Sequence, residues 1–133
     1  MADLFHLYGG DLQISAQGDL LVTSQSNTGV QRLYRRLLTS PALSDSAGNP
    51  QSSADYTFHP TYGAGIGRRI GAPTDVPGAL AVIRSQVRLE SAVARNPEAQ
   101  VFAAAFPGGV SVDVRYNDAK TNQPQTLNFD VNF

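Results

Sequence analysis

Val110, Val112, Val114 and Tyr116 alternate with Ser111, Asp113 and Arg115. After a polar turn over 117–124, Leu127, Phe129, Val131 and Phe133 alternate with Asn128, Asp130 and Asn132. Period two places every apolar side chain of a strand on one face, so this stretch reads as a long antiparallel hairpin, 110–133, with one dry face. The pattern runs to Phe133, where chain ends are ordinarily polar. A terminal strand carrying apolar side chains and unpaired backbone groups is a liability for a monomer. The expectation is therefore that another chain completes the sheet. Leu127, Phe129, Val131 and Phe133 are the candidate docking strand.

The rest of the chain supplies cover for that sheet. Gln100 to Phe106 reads as a strand and Pro107-Gly108-Gly109 as a turn, which makes a three-stranded meander. Val30, Leu33, Tyr34, Leu37 and Leu38 fall at i, i+3, i+4, i+7 and i+8, one apolar helical stripe. Ser26, Asn27 and Thr28 are its candidate caps, and Pro41 stops it. A second helix opens at Asp75 with Pro77 in its first turn. Leu80, Ile83 and Val87 form its stripe, widened by Val82, Leu89 and Val93, and Asn96-Pro97 ends it. Two Gly-Asp-Leu echoes, at 10–12 and 18–20, mark a small N-terminal hairpin. Residues 41–55 are small, polar and aperiodic, and read as a long loop. The expected class is α+β, with 1–133 as one domain: an N-terminal β-hairpin, two amphipathic helices packed on a three-stranded antiparallel sheet, and a protruding C-terminal hairpin.

The chain has 133 residues, of which 41% are hydrophobic and 16% charged, and its net charge is −1. That charge gives no reason to expect nucleic acid or an anionic membrane as partner. Nine of the ten basic residues are arginine, the side chain suited to packed interfaces. Arg32, Arg35 and Arg36 lie off the stripe of the first helix. They form either a solvated basic face or a surface that pairs with carboxylates of a neighbouring subunit. There is no cysteine, hence no disulfide or thiolate chemistry. No apolar run approaches the roughly 18 residues a membrane span needs. Together these imply a soluble product of cytoplasmic synthesis.

Evidence for catalysis is thin. His6 and His59 are the two histidines, with no metal-ligand cluster around them. His59, in an aromatic run beside proline, reads as a packed structural residue. No serine stands in a nucleophile elbow. Glycoside hydrolysis usually needs two carboxylates, and the two glutamates are Glu90 on a helix and Glu98 beyond one. No cofactor is expected. The glycines at 63, 65 and 67 lack the lysine and the strand-to-helix setting of a phosphate loop, and instead permit close backbone packing near the aromatics. Tyr56, Phe58, His59 and Tyr62 form a structural aromatic loop, anchored onto the first helix.

Two segments carry a resemblance. Gln31-Arg32-Leu33-Tyr34-Arg35-Arg36-Leu37-Leu38-Thr39, followed by Asp55-Tyr56-Thr57-Phe58-His59-Pro60-Thr61-Tyr62-Gly63-Ala64-Gly65-Ile66, resembles the baseplate-wedge, sheath-initiator family of contractile tails, nearest the Mu-like phage members. Related subunits occur in contractile bacteriocins and type VI secretion baseplates. The resemblance implies a structural virion protein of the tail baseplate, made in the host bacterial cytoplasm and present in several copies per baseplate, six being expected. Its partners would be the tail sheath protein, other wedge proteins and tube or hub proteins, with its C-terminal hairpin offered to the first sheath ring by strand addition. Arg32, Arg35, Arg36, Arg95 and Glu98 are the wedge-contact candidates. Two departures stand out. Residues 42–53 look like an insertion, and Arg95-Asn96-Pro97-Glu98 holds the residue types of the family's Glu-Pro-Arg motif out of order. Relatives are also described as lysozyme-like, so the alternative is a tail-tip glycosidase acting on peptidoglycan.

Overall fold

The computed structural model describes residues 3–6, 10–23, 26–69 and 75–132. Among them, chain order runs α1 (Ser26–Leu38), β1 (Leu43–Ser44), β2 (Pro50–Ser52), a short 3-10 helix (Ile66–Arg69), α2 (Val76–Leu89), β3 (Gln100–Phe106), β4 (Gly109–Asn117) and β5 (Pro124–Asn132). The fold is α+β, with β3-β4-β5 an antiparallel meander and β1-β2 a separate two-stranded hairpin.

The alternation in the C-terminal stretch becomes the core. Val110, Val112, Val114 and Tyr116 of β4 and Leu127, Phe129 and Val131 of β5 are all buried. Pro107 and Gly108 join β3 to β4 as a two-residue turn, with Gly108 at φ 88°, where glycine carries no steric cost. The hairpin is packed along its inner face. Its inward residues are core along the whole length, from Val110 and Val131 at one end to Tyr116 at the other. It presents outward only one face and one edge.

The helices cover the sheet side by side, α1 over β5 and α2 over β3. The apolar stripe of α1 buries Leu33 and Leu37 completely, and Tyr34 meets Phe129 edge-on at 5.9 Å. Ser26, Asn27 and Thr28 lie inside the first turn of α1, and the cap position before them is outside the described residues. Asp75 caps α2 as expected, its carboxylate accepting from the Gly78 N–H at 3.0 Å, while Ile83 and Val87 point into the core.

α2 ends at Leu89, seven residues before the expected stop at Asn96-Pro97. Long-range pairing overrides the local pattern: the Ala94 N–H donates to Asn117 O and the Ala119 N–H to Ala92 O, with Val93 bridged to Asp118. Val93 is thus core, but as a bridge residue, and Leu89 is exposed.

The segment 41–55 also departs from expectation, since it contains the β1-β2 hairpin. Its organiser is polar: Asp45 accepts from the N–H groups of Ala47 and Asn49 and from the Asn49 side chain, all within 2.9 Å. Those hydrogen bonds hold its carboxyl below the usual aspartate range. The N-terminal hairpin exists as isolated bridges, Ile14–Leu20, His6–Leu12 and Leu4–Val22, so that residues 3–6 add a third run to the expected two. This ribbon is tied to α1 by Gln31, which donates to Leu4 O and accepts from the His6 N–H, and by a bidentate Arg32–Asp3 pair at 2.6 and 2.9 Å.

Candidate functional site

β5 forms one margin of the sheet, with β4 on its other side. Which of its backbone groups are free follows from register. A Cβ on Gly109 would sit 2.5 Å from the Val131 carbonyl oxygen, so that carbonyl faces β4. Within a strand, the N–H and C=O of one residue point to the same side and those of the next to the other. Leu127, Phe129 and Val131 therefore bond to β4. Thr126, Asn128, Asp130 and Asn132 direct their groups to the free edge.

This corrects the docking strand in one respect. The side chains of Leu127, Phe129 and Val131 are 6–9% exposed and belong to the chain's own core, while Phe133 lies outside the described residues. What the strand offers a partner is its backbone and the polar side chains of the intervening residues.

The opposite margin carries a charged contact. Because Val110 bonds to β5, Gly109 faces β3, and the same alternation leaves the Val101 carbonyl pointing out of the sheet. Arg84 of α2 donates to that carbonyl at 3.3 Å. A charged side chain over an edge is a standard protection against strand pairing. No hydrogen bond to the outward backbone groups of β5 is present among the described residues, although the 3-10 helix Ile66–Arg69 packs against this strand. Beside β5 lies an open groove of about 580 Å³, lined by Leu127, by Val30, Tyr34 and Leu38 of α1, and by Phe5 of the ribbon, with Arg35 at its rim.

The arginine cluster is mostly spent inside the chain. Arg36 pairs with Glu90 at 2.9 Å, with side-chain exposures of 16% and 6%, donates to Gln86, and lies 4.3 Å over the Tyr62 ring. Arg32 holds Asp3. Each thus has a carboxylate partner within the chain. Glu98 pairs with Arg88 at the surface, 2.7 Å from its Nε to the carboxylate. Arg35 and Arg95 are exposed, with no ion pair among the described residues.

The aromatic segment divides in the same way. Tyr62 is half-buried under Arg36 and meets Tyr56 edge-on at 6.1 Å. Phe58 is 86% exposed and does not serve as an anchor, and His59 is exposed, its ring meeting the Tyr56 ring at 4.9 Å. The loop is held by its backbone. Ala64 N–H donates to Arg36 O and Gly65 N–H to Thr39 O, while Asp55 accepts from the Ser40 N–H and returns its own N–H to Ser40 O. The last turn of any helix leaves carbonyls without partners, and here a segment some 25 residues downstream satisfies them. Gly63 makes the approach possible: at φ 108° its Cβ would lie 2.0 Å from Thr39 O. The close packing expected of these glycines against the aromatics is instead made by Gly63 and Gly65 against residues 39–41 at the end of α1, and Gly67 faces open space.

The described residues contain no cluster of potential metal ligands, and no helix is long and apolar enough to cross a membrane. Comparison with protein-family models, curated proteins and solved structures finds no match.

Proposed function

We propose that this chain is a structural docking subunit of a contractile-tail baseplate, which receives an extended segment of a sheath subunit along β5 and so starts sheath assembly. The observation that carries the reading is a difference between the margins of the sheet: Arg84 donates to the Val101 carbonyl at one, while the outward backbone groups of β5 at the other have no hydrogen bond among the described residues and lie beside an apolar groove. Strand addition draws affinity from backbone hydrogen bonds and register from alternate side chains. The resemblance gains physical sense as well, because its two separated motifs form one unit, a helix end and the segment that caps it. The glycosidase alternative finds less support, since Glu90 and Glu98 are each committed to an arginine.

The test is proline at Asp130. Its N–H faces the free edge, so the change removes a donor there without breaking the β4-β5 ladder. Proline at Val131 would break that ladder. The expected outcome is a folded protein that joins baseplates but leaves them without sheath in negative-stain images. Fully sheathed, contractile tails would overturn the proposal.

A further inference from the structure

The groove beside β5 specifies more about its occupant than an edge alone does. α1 has two flanks. Arg36 reaches Glu90 and Gln86 around α2 on one of them. Tyr34 and Leu38 lie on the other, where they line the groove together with Leu127 of the edge strand β5. A strand added to the free edge of β5 continues the sheet, and its inward side chains fall on the face of Leu127, Phe129 and Val131, with the groove at the Leu127 end. There they meet Val30, Tyr34, Leu38 and Phe5.

The rim is not neutral. Arg35 has no hydrogen bond or ion pair from its side chain among the described residues, and its influence on Asp3 is only a longer-range field. The one carboxylate on the groove, Asp55, is already held by the Ser40 N–H at 2.7 Å. The unspent charge is positive. Resting on the strand-docking reading above, we infer that the segment bound at β5 carries alternate large aliphatic or aromatic side chains that fill the groove and an acidic residue that pairs with Arg35. Apolar burial would supply affinity, and the rim pair would fix register and exclude basic segments.

The probe is a set of capped ten-residue peptides with threonine outward and leucine inward, in which one residue, walked along the chain, is aspartate or lysine. Binding to the full chain is measured by titration, and amide exchange is followed at Thr126, Asn128, Asp130 and Asn132. The best aspartate peptide should bind about tenfold tighter than its lysine counterpart, a difference of roughly 1.4 kcal/mol, and slow exchange at those amides. Arg35→Glu should invert the preference. Arg35 is exposed, so that change leaves the fold alone. Protection of the β5 amides with no charge preference would overturn the groove inference and leave strand docking standing. Binding without protection of those amides, or no binding by any peptide, would overturn both.

Discussion

The Arg36–Glu90 pair is the point where α1, α2 and the aromatic segment meet, and Glu90→Ala tests what it contributes. Both side chains are largely removed from water, and Arg36 also touches Gln86 and the Tyr62 ring. Deleting one member of a buried pair costs about 3–5 kcal/mol, because the surviving charge is left without its partner in a poorly solvated place. Arg36 would keep the Gln86 contact and the ring face, so the lower end, about 3 kcal/mol, applies. With 133 residues and about 2.1 cal/mol/K of unfolding entropy each, the transition carries about 280 cal/mol/K, and Tm should fall by about 11 °C. The assay is thermal unfolding by circular dichroism, run beside Arg36→Met and the double variant Arg36→Met/Glu90→Leu. An apolar pair of similar volume should recover most of the loss. A Tm within about 3 °C of the native value for Glu90→Ala would refute the reasoning. So would a double variant no more stable than the weaker single one.

Gly63→Ala should cost roughly 3 kcal/mol or more, since a Cβ would strike the Thr39 carbonyl at a positive φ; chemical denaturation measures it. Tyr62→Ala should lose roughly 2 kcal/mol by the same assay and Phe58→Ala almost nothing, as the Phe58 ring is 86% exposed. The Arg32 hydrogen bond, with Arg32 and Arg35 charge adding to it, outweighs burial and holds the Asp3 carboxyl below its ordinary value. Its stabilising effect is complete above the unfolded pKa of about 3.9 and is lost as pH falls through the lower folded value. The protection factors of the ribbon amides, taken against intrinsic exchange at each pH, should therefore fall below about pH 4 in NMR, before those of α1. Leu43 and Ser52 face each other across the β1-β2 hairpin, so replacing 44–51 with Asn-Gly should leave Tm within a few degrees.

Periodicity made the core readable: the α1 stripe, the Asp75 cap and the alternation of β4 and β5 are local patterns that packing reinforces. What escaped was written elsewhere in the chain. The Arg32 and Arg36 charges are visible in the sequence, but their partners stand 29 and 54 positions away. Ser91-Ala92-Val93-Ala94 continues a helical pattern, and only the turn at 117–119 stops it. The hairpin at 43–52 has no apolar signal because Asp45 builds it from hydrogen bonds. Phe58 looked like an anchor by residue type, yet its position at a loop tip gives it nothing to pack on. The free side of β5 offered one overlooked signal. A two-residue turn at Pro107-Gly108 fixes which residues of β4 bond to β3, and that parity carries on through the sheet.

The unlike margins of the sheet also give it a direction. A ribbon with two receptive edges can propagate, each copy passing its far side to the next, which is the route to fibres. Here the outward groups of β5 have no hydrogen bond among the described residues, whereas at β3 the Arg84 guanidinium stands on the Val101 carbonyl and obstructs a strand at that end. Self-association through the open edges alone is β5 against β5, a two-fold contact that is satisfied once made. Concentrated protein should therefore stop at dimers, and Arg84→Ala should lengthen the species seen by light scattering. On the docking proposal, the same difference between the margins would let growth start on this chain in one direction and keep it from running backwards.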